Sequence, residues 1–194
     1  ACLHWAAWQQ QDARRAPPLL SLNLSAAHLG RGTQLHETLR EALTSAAMPP
    51  QALQLELTEG LLVEDMESTV AKMIELKEIG IGLSLDDFGT GYSSLSYLKS
   101  LPLDQLKIDQ SFIRDVLVDP NDAAIACAIV SLGQILGLSV IAEGVETEAQ
   151  RTFLVKHGCQ TYQGFLFSPP LPAEQFAEYV HERSMASTDF QDQD

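Results

Sequence analysis

The 194-residue sequence predicts an α/β fold in which a parallel sheet is covered by helices. Three observations support this prediction. Short apolar runs of strand length alternate with longer amphipathic stretches, no change in composition divides the chain, and 45% of the residues are hydrophobic. Such a pattern is typical of either an open doubly wound sheet or a closed (β/α)8 barrel.

Six strands are predicted where apolar residues recur at every second position of a short run. They span residues 19–24, 53–57, 81–86, 105–108, 138–143 and 160–162. Helical periodicity predicts helices at residues 2–11, 33–47, 64–79, 123–136, 147–156 and 172–183. Three helices are followed by a glycine, at Gly80, Gly137 and Gly158, as left-handed C-caps require.

We expect a barrel domain over residues 1–183 and a polar, disordered tail over residues 184–194. A closed barrel of this type has eight strands in about 250 residues. Since six strands are predicted, about two strands would be missing from the N-terminal side. The sheet would then have two exposed edges, which can pair with another chain.

Charge and composition exclude several classes of protein. The chain has 12 basic and 26 acidic residues, and its formal net charge of −14 repels long nucleic acid. No stretch approaches the roughly 18 consecutive apolar residues that span a bilayer. The three scattered cysteines indicate neither a disulfide framework nor a zinc site. We therefore expect a cytoplasmic domain, whose parent protein could be membrane-anchored through upstream segments.

The alternation of side chains between the two faces of a strand separates apolar from polar residues. In the second predicted strand, Leu53, Leu55 and Leu57 lie opposite Gln54 and Glu56. Five strands carry one polar group each near the C-terminal end of this second face. These groups are Asn23, Glu56, Asp86, Lys107 and Glu143. Because active sites of parallel α/β folds lie at the C-terminal ends of the strands, the five groups are predicted to converge.

Several converging carboxylates need cations to offset the cost of burying them. Asn23, Glu56 and the adjacent pair Asp86 and Asp87 offer oxygen donors, which hard ions such as Mg²⁺ or Mn²⁺ prefer. In such a pair one carboxylate can bridge two ions, and two ions are the usual device for in-line displacement at a phosphodiester. Residues 88–95, which follow this pair, are interpreted equally well as a mobile active-site loop or as a tight turn.

Six motifs resemble the signature of the EAL-domain family of cyclic-di-GMP phosphodiesterases. In chain order they are S-L-N-L-S at 21–25, E-L-T-E at 56–59, D-D-F-G-T-G-Y-S-S-L at 86–95, L-K-I-D at 106–109, E-G-V-E at 143–146 and Q-G-F at 163–165. The resemblance covers nearly the whole chain. It implies a TIM-like (β/α)8 barrel of the EAL type that linearises cyclic-di-GMP to pGpG with two divalent cations, Mg²⁺ or Mn²⁺.

The resemblance also implies which residues hold the ions. Asn23, Glu56 and Asp86 are similar to the ligands of one ion. Asp86 would bridge to a second ion, which Asp87 also holds, and Glu143 is similar to the acid beside that second ion.

Further roles are implied for the chemistry and for the substrate. Lys107 is similar to the lysine that contacts the attacking water or the phosphate, and it forms the catalytic set with Asp87 and Glu143. Glu59 is similar to the residue that anchors the loop after the third strand and couples it to metal occupancy and dimerisation. Three further residues are similar to ones that contact the substrate or support the metal ligands, namely Glu146, Gln163 and Phe165. Phe165 could stack on a guanine, although packing is the commoner role of a lone aromatic residue.

One part of the family pattern is missing. The family's first strand carries Glu-Ala-Leu, whose glutamate is a metal ligand, and soon afterwards an arginine that holds phosphate. Residues 41–43 have the same letters but fall within a predicted helix after the N-x-S motif, so we interpret the match as accidental. Without that strand the ion site would be incomplete and the fragment could be inactive. The parent protein is expected to be a homodimer with upstream sensory or GGDEF domains.

Two alternative functions stay open. A nonhydrolytic cyclic-di-GMP receptor would keep the barrel but usually lose several ligands. Here the six site residues are all intact, namely Asn23, Glu56, Asp86, Asp87, Lys107 and Glu143. A Mg²⁺-dependent enolising barrel with Lys107 as its base would explain a lysine among carboxylates. It would explain neither the adjacent aspartates nor the loop rich in glycine and serine. Calcium is expected to inhibit a compact two-ion site because its coordination is longer and more flexible.

Overall fold

The computed structural model describes residues 1–12, 16–29, 34–61, 66–91 and 98–188. Within these ranges six strands form one parallel sheet. The strands are β1 (Leu20–Leu24), β2 (Leu53–Thr58), β3 (Gly82–Phe88), β4 (Gln105–Ile108), β5 (Ser139–Ala142) and β6 (Thr161–Tyr162). Each lies within two residues of the boundaries that the alternation of side chains predicts, which confirms the six predicted strands.

The helices of the described ranges surround this sheet. They are α1 (Cys2–Gln11), α2 (Ala26–Leu29), α3 (Leu35–Ser45), α4 (Met66–Ile79), α5 (Gln110–Arg114), α6 (Pro120–Leu136), α7 (Glu148–Lys156) and α8 (Ala173–Thr188), with a 3-10 turn at Pro50–Ala52. The sequence does not predict α2 or α5, because four or five residues are too few to show a helical period. α6 begins at Pro120, since Asp119 caps it by accepting a hydrogen bond from the amide of Asn121 at 2.8 Å.

Three predicted segments can be compared with these helices. Residues 41–43, which spell Glu-Ala-Leu, lie inside α3, where Glu41 is exposed and Leu43 is buried. α8 extends to Thr188, so residues 184–188 of the predicted tail are helical, and residues 189–194 lie outside the described residues. Of the predicted loop at 88–95, residues 92–95 also lie outside them. No helix in the described ranges is long and apolar enough to cross a membrane.

The strands follow one another across the sheet in chain order, from β1 to β6. Every adjacent pair is parallel. A doubly wound sheet reverses its strand order at a switch point, whereas the wall of a (β/α)8 barrel keeps the chain order. The observed order therefore favours the barrel type, and β1 and β6 lie at the two edges of the described sheet.

The two faces of the sheet differ as the alternation predicts. The leucines of β2 and β3 are at most 2% exposed and pack under the helices, as Leu55 does. On the opposite face, polar side chains pair between neighbouring strands. Ser21 donates to Oε1 of Gln54, and Ser84 donates to Oε1 of Gln105, both at 3.2 Å. This polar face leads towards the C-terminal ends of the strands.

β3 departs from a regular strand at its C-terminal end. It runs past the predicted end at Asp86 to Phe88, and its register with β4 shifts between Leu85 and Phe88. Asp87 has φ 54°, in the left-handed region that non-glycine residues seldom adopt. A regular strand would point Asp86 and Asp87 to opposite faces. The irregularity explains how both carboxylates can reach one site.

Candidate active site

Lys107 lies at the centre of the polar face, near the end of β4. Its Nζ atom is 2.9 Å from Oε2 of Glu56, 2.9 Å from Oδ1 of Asp86 and 2.6 Å from Oε1 of Glu143. These three carboxylates come from β2, from β3 and from the residue after β5. The side chain of Lys107 is only 5% exposed. The structure thus brings four of the five predicted strand-end groups into direct contact.

The protonation of this cluster follows from its burial and its hydrogen bonds. Burial alone would lower the pKa of Lys107, but hydrogen bonds to Glu143, Asp86 and Glu56 raise it above the ordinary lysine value. Burial raises the pKa of Glu143, and the hydrogen bond from Lys107 opposes this effect. Lys107 is therefore charged at neutral pH, and a single ammonium faces three acidic groups.

A second acidic group overlaps with the first. Asp86, Asp87 and Glu143 each place a carboxylate oxygen within 4.8 Å of the other two. Burial raises the pKa of Asp87, and so do the neighbouring charges of Asp86 and Asp109. The donors are all oxygens, so this set fits a hard divalent cation. One lysine cannot neutralise all these carboxylates, and a bound cation would offset the remaining repulsion.

Asp109 lies beside Asp87 at this site, and although it ends the L-K-I-D motif at 106–109, no role is predicted for it from the sequence. It caps α5 by accepting a hydrogen bond from the amide of Ser111 at 2.9 Å. The neighbouring charge of Asp109 also contributes to the raised pKa of the Asp87 carboxyl group. The signal was present in the sequence, because Asp109 follows Lys107 by two residues and alternation places both on one face.

Asn23 lies next to Glu56 but on the edge strand. The two residues are register partners in the parallel pairing of β1 with β2. The side chain of Asn23 is exposed, in contrast to the largely buried cluster around Lys107. Its role as a metal ligand therefore stays a prediction.

Glu59 connects the end of β2 to the loop after β3. It is buried, and its Oε2 accepts a hydrogen bond from the amide of Gly91 at 2.9 Å. A Cβ atom added to Gly91 would lie 2.8 Å from the Glu59 carboxylate, so only glycine allows this close approach. The contact fits an anchor for this loop, and its coupling to metal occupancy remains a proposal.

A cavity of about 440 Å³ opens beside Glu143. Both Glu143 and Gln163 line the cavity, and Nε2 of Gln163 donates to Oε1 of Glu143 at 2.6 Å. Other lining residues are Glu146, Phe165, Leu171, Phe176 and Tyr179. Phe165 is 65% exposed, which excludes a packing role in the core. The cavity therefore combines an apolar wall with polar groups that border the acidic cluster.

Comparison with known proteins agrees with this architecture. The model of the EAL domain family matches residues 1–170. The chain belongs to the EAL domain family. This match and the superposition of solved structures on the chain, among them that of an EAL domain, confirm the predicted TIM-like barrel of the EAL type.

The relatives of this EAL chain include multidomain proteins. The bifunctional diguanylate cyclase/cyclic di-GMP phosphodiesterase MucR of Pseudomonas aeruginosa is 46% identical over 183 residues, which are 93% of this chain and 26% of MucR. A solved structure of the PaMucR phosphodiesterase in complex with c-di-GMP has a TM-score of 0.83 at 44% identity and covers 90% of this chain and 70% of that one. The chain thus spans about a quarter of the length of MucR.

A second, less similar solved structure contains a metal ion. The manganese/cy-diGMP complex of Klebsiella pneumoniae BlrP1 has a TM-score of 0.77 at 31% identity. The match covers 87% of this chain and 43% of that one. The oxygen donors of Asp86, Asp87 and Glu143 are of the kind that a divalent cation such as manganese accepts as ligands.

Proposed function

We propose that this EAL domain hydrolyses cyclic-di-GMP to linear pGpG in bacterial second-messenger signalling, with two divalent cations, Mg²⁺ or Mn²⁺. The observation that carries the proposal is the buried cluster in which Glu56, Asp86 and Glu143 surround Lys107, with Asp87 beside them. The relatives whose names include phosphodiesterase activity or cyclic-di-GMP support the choice of substrate.

The proposed cation ligands are those at the ends of the first three strands and after the fifth. They are Asn23, Glu56, Asp86, Asp87 and Glu143. When bound, two such ions would activate the attacking water and stabilise the leaving oxygen. Asp86 is the proposed ligand of both ions, because it belongs to both acidic groups. It contacts Lys107 in the first group, and it lies near Asp87 and Glu143 in the second.

Lys107 would act as a fixed positive charge towards the reacting phosphate. Its three carboxylate partners hold the ammonium in place, and its raised pKa keeps it protonated at neutral pH. A protonated lysine cannot act as a base, which argues against the enolising barrel. Pre-organised charges of this kind stabilise the charge that develops in a transition state.

Glu143 is the proposed acceptor of the proton from the attacking water. Burial raises its pKa, which brings it nearer to the working pH where a general base is most efficient. Gln163 would orient this carboxylate through its 2.6 Å hydrogen bond. In the overall step, one water molecule adds across one phosphodiester and one P–O bond to a ribose oxygen breaks.

The cavity beside Glu143 is the proposed site for one guanine of the substrate. Its volume of about 440 Å³ exceeds the minimum for a ligand pocket. Phe165 offers an exposed aromatic face on which a base can stack. Glu146 offers a carboxylate to the hydrogen-bond donors of guanine.

The wider assembly is also a proposal. We expect a cytoplasmic homodimer with sensory or GGDEF domains upstream. The proposal of further domains is supported by the length of MucR, of which the chain matches 26%. The coupling between dimerisation and the site would run through Glu59 and its hydrogen bond to Gly91.

Hydrolysis of cyclic-di-GMP, followed by chromatography of pGpG, tests this function. The expected result is turnover with Mg²⁺ or Mn²⁺, inhibition by Ca²⁺ and loss of turnover in Asp86→Asn. The assay should use this chain and a version extended at its N-terminus, so that an incomplete site is recognised. Binding of the substrate without cleavage by either protein would favour the nonhydrolytic receptor.

A further inference from the structure

Gln150, near the start of α7, links the C-terminal end of α5 to the loop after β5 through its side-chain amide. The residue is 7% exposed. Its Oε1 accepts hydrogen bonds from the amides of Glu146 and Thr147, each at 2.9 Å. Its Nε2 donates to the carbonyls of Ile113 at 3.1 Å and of Arg114 at 3.3 Å. Both halves of the amide are therefore used.

Both α5 and the loop after β5 begin beside a residue of the candidate active site. Ile113 and Arg114 end α5, whose N-cap is Asp109. Glu146 and Thr147 belong to the loop that begins after β5 at Glu143. Gln150 thus ties together the segments that follow β4 and β5, although it does not touch the acidic cluster itself.

The loop after β5 is packed too closely to adjust freely. A Cβ atom added to Gly144 would lie 2.7 Å from Cβ of Gln110, so this loop and α5 are in direct contact. On the other side, Val145 donates to the carbonyl of Gln163 and accepts from the amide of Leu166, both at 3.0 Å. The loop is therefore held between α5 and the segment after β6, and Gln150 supplies hydrogen bonds to both the loop and α5.

We infer that Gln150 is a positioning residue for the candidate metal centre, which rests on the function proposed above. The hydrogen bonds of its side-chain amide fix the separation between Asp109 and Glu143. Groups that orient metal ligands change metal affinity or activity by about 10- to 100-fold when they are replaced. A misplacement of about 1 Å can cost a reaction about 100-fold in rate.

The substitution Gln150→Glu removes the hydrogen-bond donor of this side chain and keeps the acceptor. Glutamate has the same shape and can still accept the hydrogen bonds from Glu146 and Thr147, but it cannot donate to the carbonyls of Ile113 and Arg114. We expect the affinity for Mn²⁺, measured from the electron paramagnetic resonance signal of the free ion, to fall about tenfold. For cyclic-di-GMP, kcat should fall by a larger factor than KM rises.

Two control variants accompany this change. Gln160→Glu adds the same charge at an exposed position before β6, and it should leave Mn²⁺ affinity and kcat unchanged. Asp104→Ala weakens the opposite end of the sheet, so it reports what a loss of stability alone does to the site.

The outcomes distinguish positioning from simple structural support. If Gln150→Glu unfolds at a lower temperature but keeps wild-type Mn²⁺ affinity and kcat, Gln150 is not a positioning residue. If the variant does not fold, amide hydrogen exchange of the wild-type protein tests the inference instead. The amides of Glu146 and Thr147 should then be as protected as those inside α7, and rapid exchange would overturn the inference.

A wild type that binds Mn²⁺ without hydrolysis counts against the proposed function alone, whereas one that binds no Mn²⁺ overturns both.

Discussion

The ammonium of Lys107 sets the charge balance of the site at the scale of single residues. A lysine has three N–H donors, and a carboxylate partner lies within 2.9 Å of this ammonium in each of three ion pairs. Because its pKa is raised in the fold, Lys107 stabilises the protein at every pH below the ordinary lysine value. This contribution is lost only when the pH rises through the raised pKa.

Replacing Lys107 should therefore damage both stability and catalysis. Lys107→Met leaves Glu56, Asp86 and Glu143 with unpaired buried charge, which typically costs about 3–5 kcal/mol. We expect this loss in urea unfolding with a chelator present, partial recovery with Mn²⁺, and no measurable hydrolysis. Lys156→Met, at an exposed position in α7, is the matched control and should unfold like the wild type. Equal stability of the two variants would contradict the charge balance described for Lys107.

Asp87 presents the opposite case, since its charge is unfavourable without a cation. Its carboxyl pKa is raised by burial, by Asp86 and by Asp109, so the ionised form destabilises the fold once the pH exceeds its ordinary value. It also adopts φ 54°, which asparagine tolerates well.

Asp87→Asn should thus stabilise the metal-free protein while abolishing turnover. The expected change is a rise in Tm, since each 1 kcal/mol of added stability corresponds to about 2–4 °C for a chain of this size. Differential scanning calorimetry with a chelator measures the shift, and Mn²⁺ should reduce or reverse it. Asp115→Asn, in an exposed ion pair with Arg114, should leave Tm nearly unchanged. A lower Tm together with full turnover would exclude Asp87 from the cation site.

At the scale of elements, the end of the sheet opposite the site is held together by Asp104. Its carboxylate accepts hydrogen bonds from Lys77 Nζ at 2.6 and 2.8 Å and from the amide of Leu83 at 2.8 Å. Its carbonyl accepts from the amide of Ser139 at 3.0 Å. One residue thus joins α4, β3 and β5 just before β4 begins.

Two substitutions separate the contributions of this junction. Asp104→Ala leaves the buried amide of Leu83 without its partner, which should cost about 1–3 kcal/mol. Lys77→Met removes only a partly exposed ion pair and should cost about 0–1 kcal/mol. Chemical unfolding measures both values, and kcat should remain at the wild-type level. The prediction fails if the lysine variant is the less stable of the two.

The sequence predicts elements better than it predicts the contacts between them. Alternation alone located the polar face of each strand, because one face must be apolar to pack under the helices. It could not predict the bulge at Asp87, since alternation assigns Asp86 and Asp87 to opposite faces. It also did not predict α5, which is too short for a helical period, and Asp109, the residue that caps α5, was missed.

At the scale of the whole molecule, the strand order explains why distant residues meet. Glu56 and Glu143 are far apart in the chain, yet β2 to β5 are consecutive neighbours in one parallel sheet, so their C-terminal ends face the same side. Asn23 differs because β1 is an edge strand of the described sheet. Sequence reasoning identified the strand-end groups, but the central place of Lys107 depends on three-dimensional distances that alternation does not give.

The net charge of −14 is consistent with the proposed binding of cations. The acidic residues that matter are nevertheless few, and they are gathered at one end of the sheet. Cations bound there should stabilise the folded state through their preference for it over the unfolded chain. This stabilisation by bound cations should be lost in a variant without the Asp86 carboxylate. Stabilisation by general screening of surface charge should not depend on Asp86.

The number of Mn²⁺ ions bound per chain tests the two-cation site most directly. Equilibrium dialysis at increasing Mn²⁺ gives this number for the N-terminally extended version of the chain, taken as the wild type, and for its Asp86→Asn variant, with Asp115→Asn as the exposed control. The account predicts two ions for the wild type and the control, and weak or single binding for Asp86→Asn, because Asp86 would bridge both ions. A wild type that binds no Mn²⁺, or an Asp86→Asn protein that still binds two ions tightly, would contradict it.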